Sequence, residues 1–228
     1  MRYAAHIQVA LEIGPKRRVF AQALAWPGWC RSGKSEEAAL ANLLALGERY
    51  TGVAKRAGLT LVAPTALDQF VVVERVIGTA VTDFGGLSTL FAHDTEPLED
   101  EEIEQLTNLL NTCWMVFDEH FQAIPAEQRD LLPERGRSPN AIRWHVIETD
   151  QLHASAFGAA VRPGTPTQAD RLELQARQHI RAGLQAVPRH NAATPHRRSG
   201  FTWTPRFAIR RSAWHALDHA WQLQGHTS

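Results

Sequence analysis

Near its C-terminus the chain carries Trp214-His215-Ala216-Leu217-Asp218-His219-Ala220-Trp221. Histidines four residues apart stand one above the other on a helical face, so two imidazoles can reach one divalent ion. At 100° per residue, Trp214, Leu217, Asp218 and Trp221 share one side, and His215, His219 and Gln222 form a stripe about 100° around from it. The pair therefore belongs at the edge of a core face, where a cleft between helices forms. His145 lies on an earlier stripe with Ile142, Val146, Thr149, Leu152 and Ala156, and could supply a third nitrogen. Three neutral imidazoles leave coordination positions open, as in a catalytic rather than a structural centre. Zn, Ni, Fe or Cu suits such ligands. An open ion can hold a thiol as thiolate, polarise a carbonyl or generate hydroxide. Asp218 and Glu148 are carboxylates that could accept the second N–H of a ligand ring. Asp218 reads equally well as the partner of a nearby arginine. The chain has 11 histidines, which makes one such pair unremarkable until a second helix is shown to converge on it.

No catalytic residue is singled out. A Ser-His-Asp triad lacks its G-x-S-x-G elbow, and the Asp83-Phe84-Gly85 triplet lacks every companion of a kinase signature. Between Glu173 and Asp218 there is no acidic residue, whereas Arg177, Arg181, Arg189, Arg197, Arg198, Arg206, Arg210 and Arg211 lie there, interleaved with Phe201, Trp203 and Phe207. Three readings stand: a solvated basic face balancing an acidic linker, a grip on an anionic substrate, or phosphate contacts with base stacking. Arg210 and Arg211 precede His215 by about one helical turn and are the candidates for substrate binding.

The elements that must position these residues change period along the chain. Tyr3–Ile13 alternates, with Ala5, Ile7, Val9, Leu11 and Ile13 on one side. Gly14-Pro15 turns the chain, Val19–Trp26 is a second strand, and Pro27-Gly28 ends it. Ser35 to Ala57 is an amphipathic helix with Ser35 as N-cap, Glu36 and Glu37 in the first turn, and Gly58 as stop. Phe70–Ile77 is a third strand. Residues 1–92 thus read as a β-β-α-β, α+β domain. The glycines and acidic residues of 78–100 read as a solvated linker leading into a helix. Residues 93–228 show only helical periods and predict a four-helix bundle. The helices begin near Glu101, Asn140, Gln168 and Arg206, and Ile103, Leu106, Leu110, Cys113, Phe117 and Phe121 give the first its stripe.

Two resemblances sharpen this reading. Arg143-Trp144 followed by HVIETD, together with AWHALDHAW, resembles the DinB-like superfamily of four-helix bundles, which includes mycothiol-dependent maleylpyruvate isomerases. The resemblance covers about residues 95–228. It implies metal ligands at His145, His215 and His219, and a transferase or isomerase that uses a low-molecular-weight thiol. The segment VFAQALAWPGWCRSGKSEEAALANLLAL resembles the HicB-like antitoxin domain over about residues 5–77, without that family's DNA-binding appendage. It implies a docking role toward a protein or an RNA-related ligand. The rival to the enzyme reading is a non-catalytic binding protein in which the bundle is scaffold.

Composition bounds both readings. With 44% apolar and 21% charged residues the chain is too apolar to be disordered. Its 24 basic and 24 acidic residues cancel, which speaks against a globally basic nucleic-acid binder. No apolar run approaches a bilayer span, and the N-terminus does not read as a signal peptide. Cys30 and Cys113 lack C-x-x-C partners and read as free thiols in a reducing cytoplasm. Cys30 is the one with a reactive alternative, beside a helix start and Lys34. The expected partners are a small-molecule substrate and a second copy in a homodimer, not a membrane; a nucleic acid is the less favoured partner and belongs to the rival reading, in which the first domain docks a protein or a nucleic acid.

Overall fold

The computed structural model describes residues 6–134, 136–161, 163–186, 194–195 and 202–225. The chain divides into two units, Met1–Glu96 and Pro97–Ser228.

In the first unit, strands β1 (Ile7–Ile13), β2 (Val19–Ala23) and β3 (Cys30–Gly33) precede helix α1 (Glu36–Arg56) and strand β4 (Phe70–Ile77). The sheet order is β3-β2-β1-β4, antiparallel except for the parallel β1–β4 pair. The expected β-β-α-β thus becomes β-β-β-α-β. The strand Cys-Arg-Ser-Gly has neither length nor apolar alternation, and its pairing with β2 alone makes it a strand. The turn before it uses Gly28 at φ +95°, a conformation that costs glycine little. Register slips between Val9 and Ala10, so Val73 is an extra residue and β4 changes face there.

Trp29 is fully buried beneath α1. Its indole donates to Leu43 O at 2.9 Å and stacks on Tyr50, whose hydroxyl donates to Pro27 O at 2.6 Å. The W-P-G-W segment therefore staples the sheet to the helix. The Ser35 hydroxyl caps α1 by accepting from Ala38 N. On the other sheet face Phe91 covers Ala10, Leu24 and Val76. Residues 78–96 are more ordered than a solvated linker. They contain the short helix α2 (Ala80–Asp83) and a 3-10 turn. Glu12, fully buried in β1, accepts from Thr82 Oγ1, Ser88 N and Ser88 Oγ, which ties this segment to the sheet. Asp94 is also buried and caps Phe91 N at 2.8 Å.

In the second unit, α3 (Asp100–Gln122), α4 (Pro139–Ser155), α5 (Ala169–Ala186) and α6 (Pro205–Gln224) pack in a closed cycle, α3 on α6, α6 on α4, α4 on α5 and α5 on α3. Between α5 and α6 the pairs Thr194–Pro195 (β5) and Thr202–Trp203 (β6) form a two-stranded ladder. The helix ends follow local chemistry. Asp100, Glu101 and Glu102 occupy the first turn of α3, and Ser138 and Thr204 cap α4 and α6, each followed by proline. The core holds Leu109, Leu110, Phe117, Val146, Ile180 and Leu217. Leu152, expected inside, is 51% exposed. The face that turns inward on α4 carries Asp150 and His153 instead, because packing against α5 and α6 rotates the buried stripe toward polar partners. No helix of the described residues is long and apolar enough to cross a membrane.

Candidate metal centre

His145 stands in the second turn of α4, and His215 and His219 stand one turn apart in the C-terminal half of α6. The packing of α4 on α6 brings all three together, and one ligand atom from each lies within 4.8 Å of the others. The Nε2 atoms of His145 and His215 are 3.2 Å apart. Ring centroids are 5.0 Å apart for His145–His215 and His145–His219, and 4.6 Å for His215–His219. Ligands bound at about 2.0–2.1 Å in tetrahedral geometry are separated by roughly 3.3 Å, so the close pair matches two corners of such a centre.

The protonation of the cluster suits a cation. Burial lowers His145 to about 4, helped by the charges of His219 and Arg137. Burial, then the charges of His219, His153, His145 and Arg211, holds His215 well below the ordinary histidine range. His219 is lowered by burial against the opposing pull of Gln222 and Asp218. All three rings are thus neutral near pH 7, the state that ligates. The donor set, its convergence and its neutrality fit a divalent ion with three protein ligands.

The ring of His219 is oriented by Gln222, whose Oε1 lies 2.8 Å from Nδ1. That contact makes Nδ1 the donor and leaves Nε2 as the free lone pair. Gln222 shares the stripe of the two α6 histidines, so the signal for it was spacing. Of the two carboxylates on these helices that could accept from a ligand ring, Asp218 is half-buried and acts on His219 through its charge, and Glu148 is exposed. His153, two turns after His145 on α4, is a further buried ring, 6.1 Å from that of His215. Its Nδ1 meets Ser212 Oγ at 2.9 Å. The i,i+8 spacing from His145 marks it in the sequence, but only the packing of α6 shows that it backs His215.

The arginines have been sorted by the fold. Arg177 and Arg206 are buried in ion pairs, Arg177 with Asp118 and Glu173, and Arg206 with Glu102, while Arg206 also donates to the Pro97 carbonyl. Arg210 is buried over the Phe207 ring at 5.0 Å. Half-buried Arg211 lies over Trp203 at 5.5 Å, and its charge reaches His215. A solvated basic face is therefore not what this stretch forms where it is described. Arg189, Arg197, Arg198 and Phe201 lie outside the described residues. Cys30 and Cys113 are both buried free thiols, and burial pushes Cys113 far up, away from thiolate chemistry.

Searches against protein-family models, curated proteins and solved structures gave no match for this chain.

Proposed function

We propose that the protein is a metal-dependent enzyme of the DinB-like class, with one divalent ion, Zn, Ni or Fe, held by His145, His215 and His219. The observation that carries this reading is the convergence of three neutral imidazoles from two helices onto one point. Bound there, such an ion would supply a Lewis acid able to lower the pKa of a coordinated thiol or polarise a carbonyl. The reaction class is transfer or isomerisation of a small molecule, with a low-molecular-weight thiol such as mycothiol as cosubstrate. The chain's own contribution is positional. Gln222 fixes the tautomer of His219, and burial keeps His145 and His215 deprotonated. The guanidinium charges that reach the cluster come from Arg211, acting on His215, and from exposed Arg137, acting on His145 and His219, and either can meet an anionic group of the substrate. The first unit is assigned a HicB-like fold and a docking role.

The test is metal analysis of tag-free protein after reconstitution with Zn, Ni or Fe, alongside His145→Ala, His215→Ala and His219→Ala. One ion per wild-type chain is expected, lost in each variant with far-UV circular dichroism retained. Cobalt-substituted protein should then show a sulfur-to-metal charge-transfer band when the thiol is added. A wild type that takes up none of these ions overturns the enzyme reading in favour of a binding protein.

A further inference from the structure

On α4, Arg143 precedes His145 by two residues and so points about 200° away from it, toward α5. There α3, α4 and α5 line a separate, solvent-open pocket of about 300 Å³. Buried Trp114 forms its wall, and Met115 and Leu174, 48% and 54% exposed, form an apolar rim. Three arginines and three carboxylates complete the lining, so the formal charges cancel, but the pairing does not. Arg177 takes both oxygens of Asp118, at 2.7 and 3.0 Å, and one of Glu173 at 2.8 Å. Arg143 takes the second Glu173 oxygen at 2.7 Å and Asp170 at 2.5 Å. Arg181 is left with a neutral partner, Asn111 Oδ1, at 3.0 Å from its Nη1. It makes no ion pair among the described residues. The carboxylate that balances it arithmetically, Asp170, is 91% exposed at the rim, where water and salt screen it. Arg181 also lies over the Trp114 ring at 5.8 Å, which holds its guanidinium at the pocket.

We propose that this pocket is a binding site for a small monocarboxylate with an apolar body. The Nε and Nη2 edge of Arg181, the edge that grips a carboxylate bidentately, is free for the anion. Met115 and Leu174 meet the apolar part. A volume at the lower end of the range for ligand sites requires a small ligand. One unpaired guanidinium among three carboxylates favours a monoanion over a phosphate dianion, which those carboxylates repel. The proposal is independent of the histidine cluster.

Calorimetric titration of full-length, chelator-treated protein with benzoate, benzyl alcohol and phenyl phosphate tests it. Benzoate should bind about tenfold or more tightly than benzyl alcohol, the gain of a charge-assisted hydrogen bond, and more tightly than phenyl phosphate. Arg181→Gln should erase the preference for benzoate, and Arg181→Lys, which keeps charge but loses the fork, should retain part of it. His215→Ala should leave benzoate binding unchanged. In the wild type, benzoate should shift the Trp114 indole N–H resonance. Equal binding of benzoate and benzyl alcohol, a preference for phenyl phosphate, loss of benzoate in His215→Ala rather than Arg181→Gln, or no saturable binding at millimolar ligand each overturns the proposal.

Discussion

Asp150 and Arg177 face each other inside the bundle, with Asp150 Oδ2 3.5 Å from Arg177 Nε. Asp150 is fully buried, and Arg177 already engages Asp118 and Glu173, so the guanidinium only partly offsets the carboxylate's lost hydration. Burial dominates and raises Asp150 to about 7, with the charge of Glu173 adding to the rise and Arg177 and Trp114 opposing it. The groups around it are Glu173 and Arg177 from α5, Trp114 and Asp118 from α3, and His153 on its own helix.

This sets a pH dependence of stability. The folded state holds the Asp150 proton up to about 7, whereas the unfolded chain releases it near 3.8, the ordinary value of an aspartate. Between these values the native state binds more protons, so this contribution is fully present below the unfolded pKa and is lost as pH rises through 7. Asp150→Asn removes the titration. Denaturant melts at pH 4 and pH 8 should show the variant gaining on the wild type with rising pH, by on the order of 3 kcal/mol. A constant difference across that range would falsify the assignment.

The histidines act in the opposite direction. His145, His153 and His215 have folded pKa values below the unfolded 6.5, with His145 at about 4 and burial the leading cause for each. Below 6.5 the unfolded chain binds more protons, so metal-free protein should lose stability as pH falls from 6.5 toward 4. His153→Asn should flatten that limb. The check is the acid limb of a Tm-against-pH curve, compared with the wild type under identical salt.

Gln222 tests whether the tautomer of His219 matters. Gln222→Ala removes the acceptor at Nδ1 and should weaken metal affinity by about 10–100-fold, as loss of an orienting partner does. Chelator competition measures it. The helix and its buried face stay intact, so Tm of the metal-free protein should be nearly unchanged.

In the first unit, Trp29→Ala should cost about 3–5 kcal/mol, since the ring is fully buried beneath α1 and stacked on its Tyr50. Tyr50→Phe leaves the Pro27 carbonyl without that donor and should cost about 1–3 kcal/mol. Urea melts of both variants, read in the far ultraviolet, give the two values.

Gly33→Ala is the backbone counterpart. A Cβ there would stand 2.6 Å from the Ala38 carbonyl carbon, so β3 would have to move away from the start of α1. The expected result is destabilisation exceeding that of Gly52→Ala, whose Cβ meets nothing within 4 Å and which improves helix propensity.

Periodicity and capping residues were enough to place β4 and α1, and the starts of α3, α4, α5 and α6, within a residue or two of where they lie. These signals are local: Ser35 and Thr204 accept from their own first turns, and apolar stripes repeat within one element. The α+β character of the first unit and the helical character of the second were legible for that reason. So was the His215–His219 pair, because four residues on a helix place two side chains on one face whatever surrounds them. Three features needed the tertiary structure. Strand β3 exists because β2 lies beside it, not because Cys-Arg-Ser-Gly favours an extended chain. The burial of Asp150 and Arg177 depends on charge pairing across α3, α4 and α5, which no single helix encodes, although the Glu173–Arg177 pair at i,i+4 lies within α5. The meeting of His145 with the α6 pair depends on how α4 rotates and slides against α6. That is a sum of many side-chain packing contacts along both helices, and it fixed the 3.2 Å approach of two nitrogens 70 residues apart.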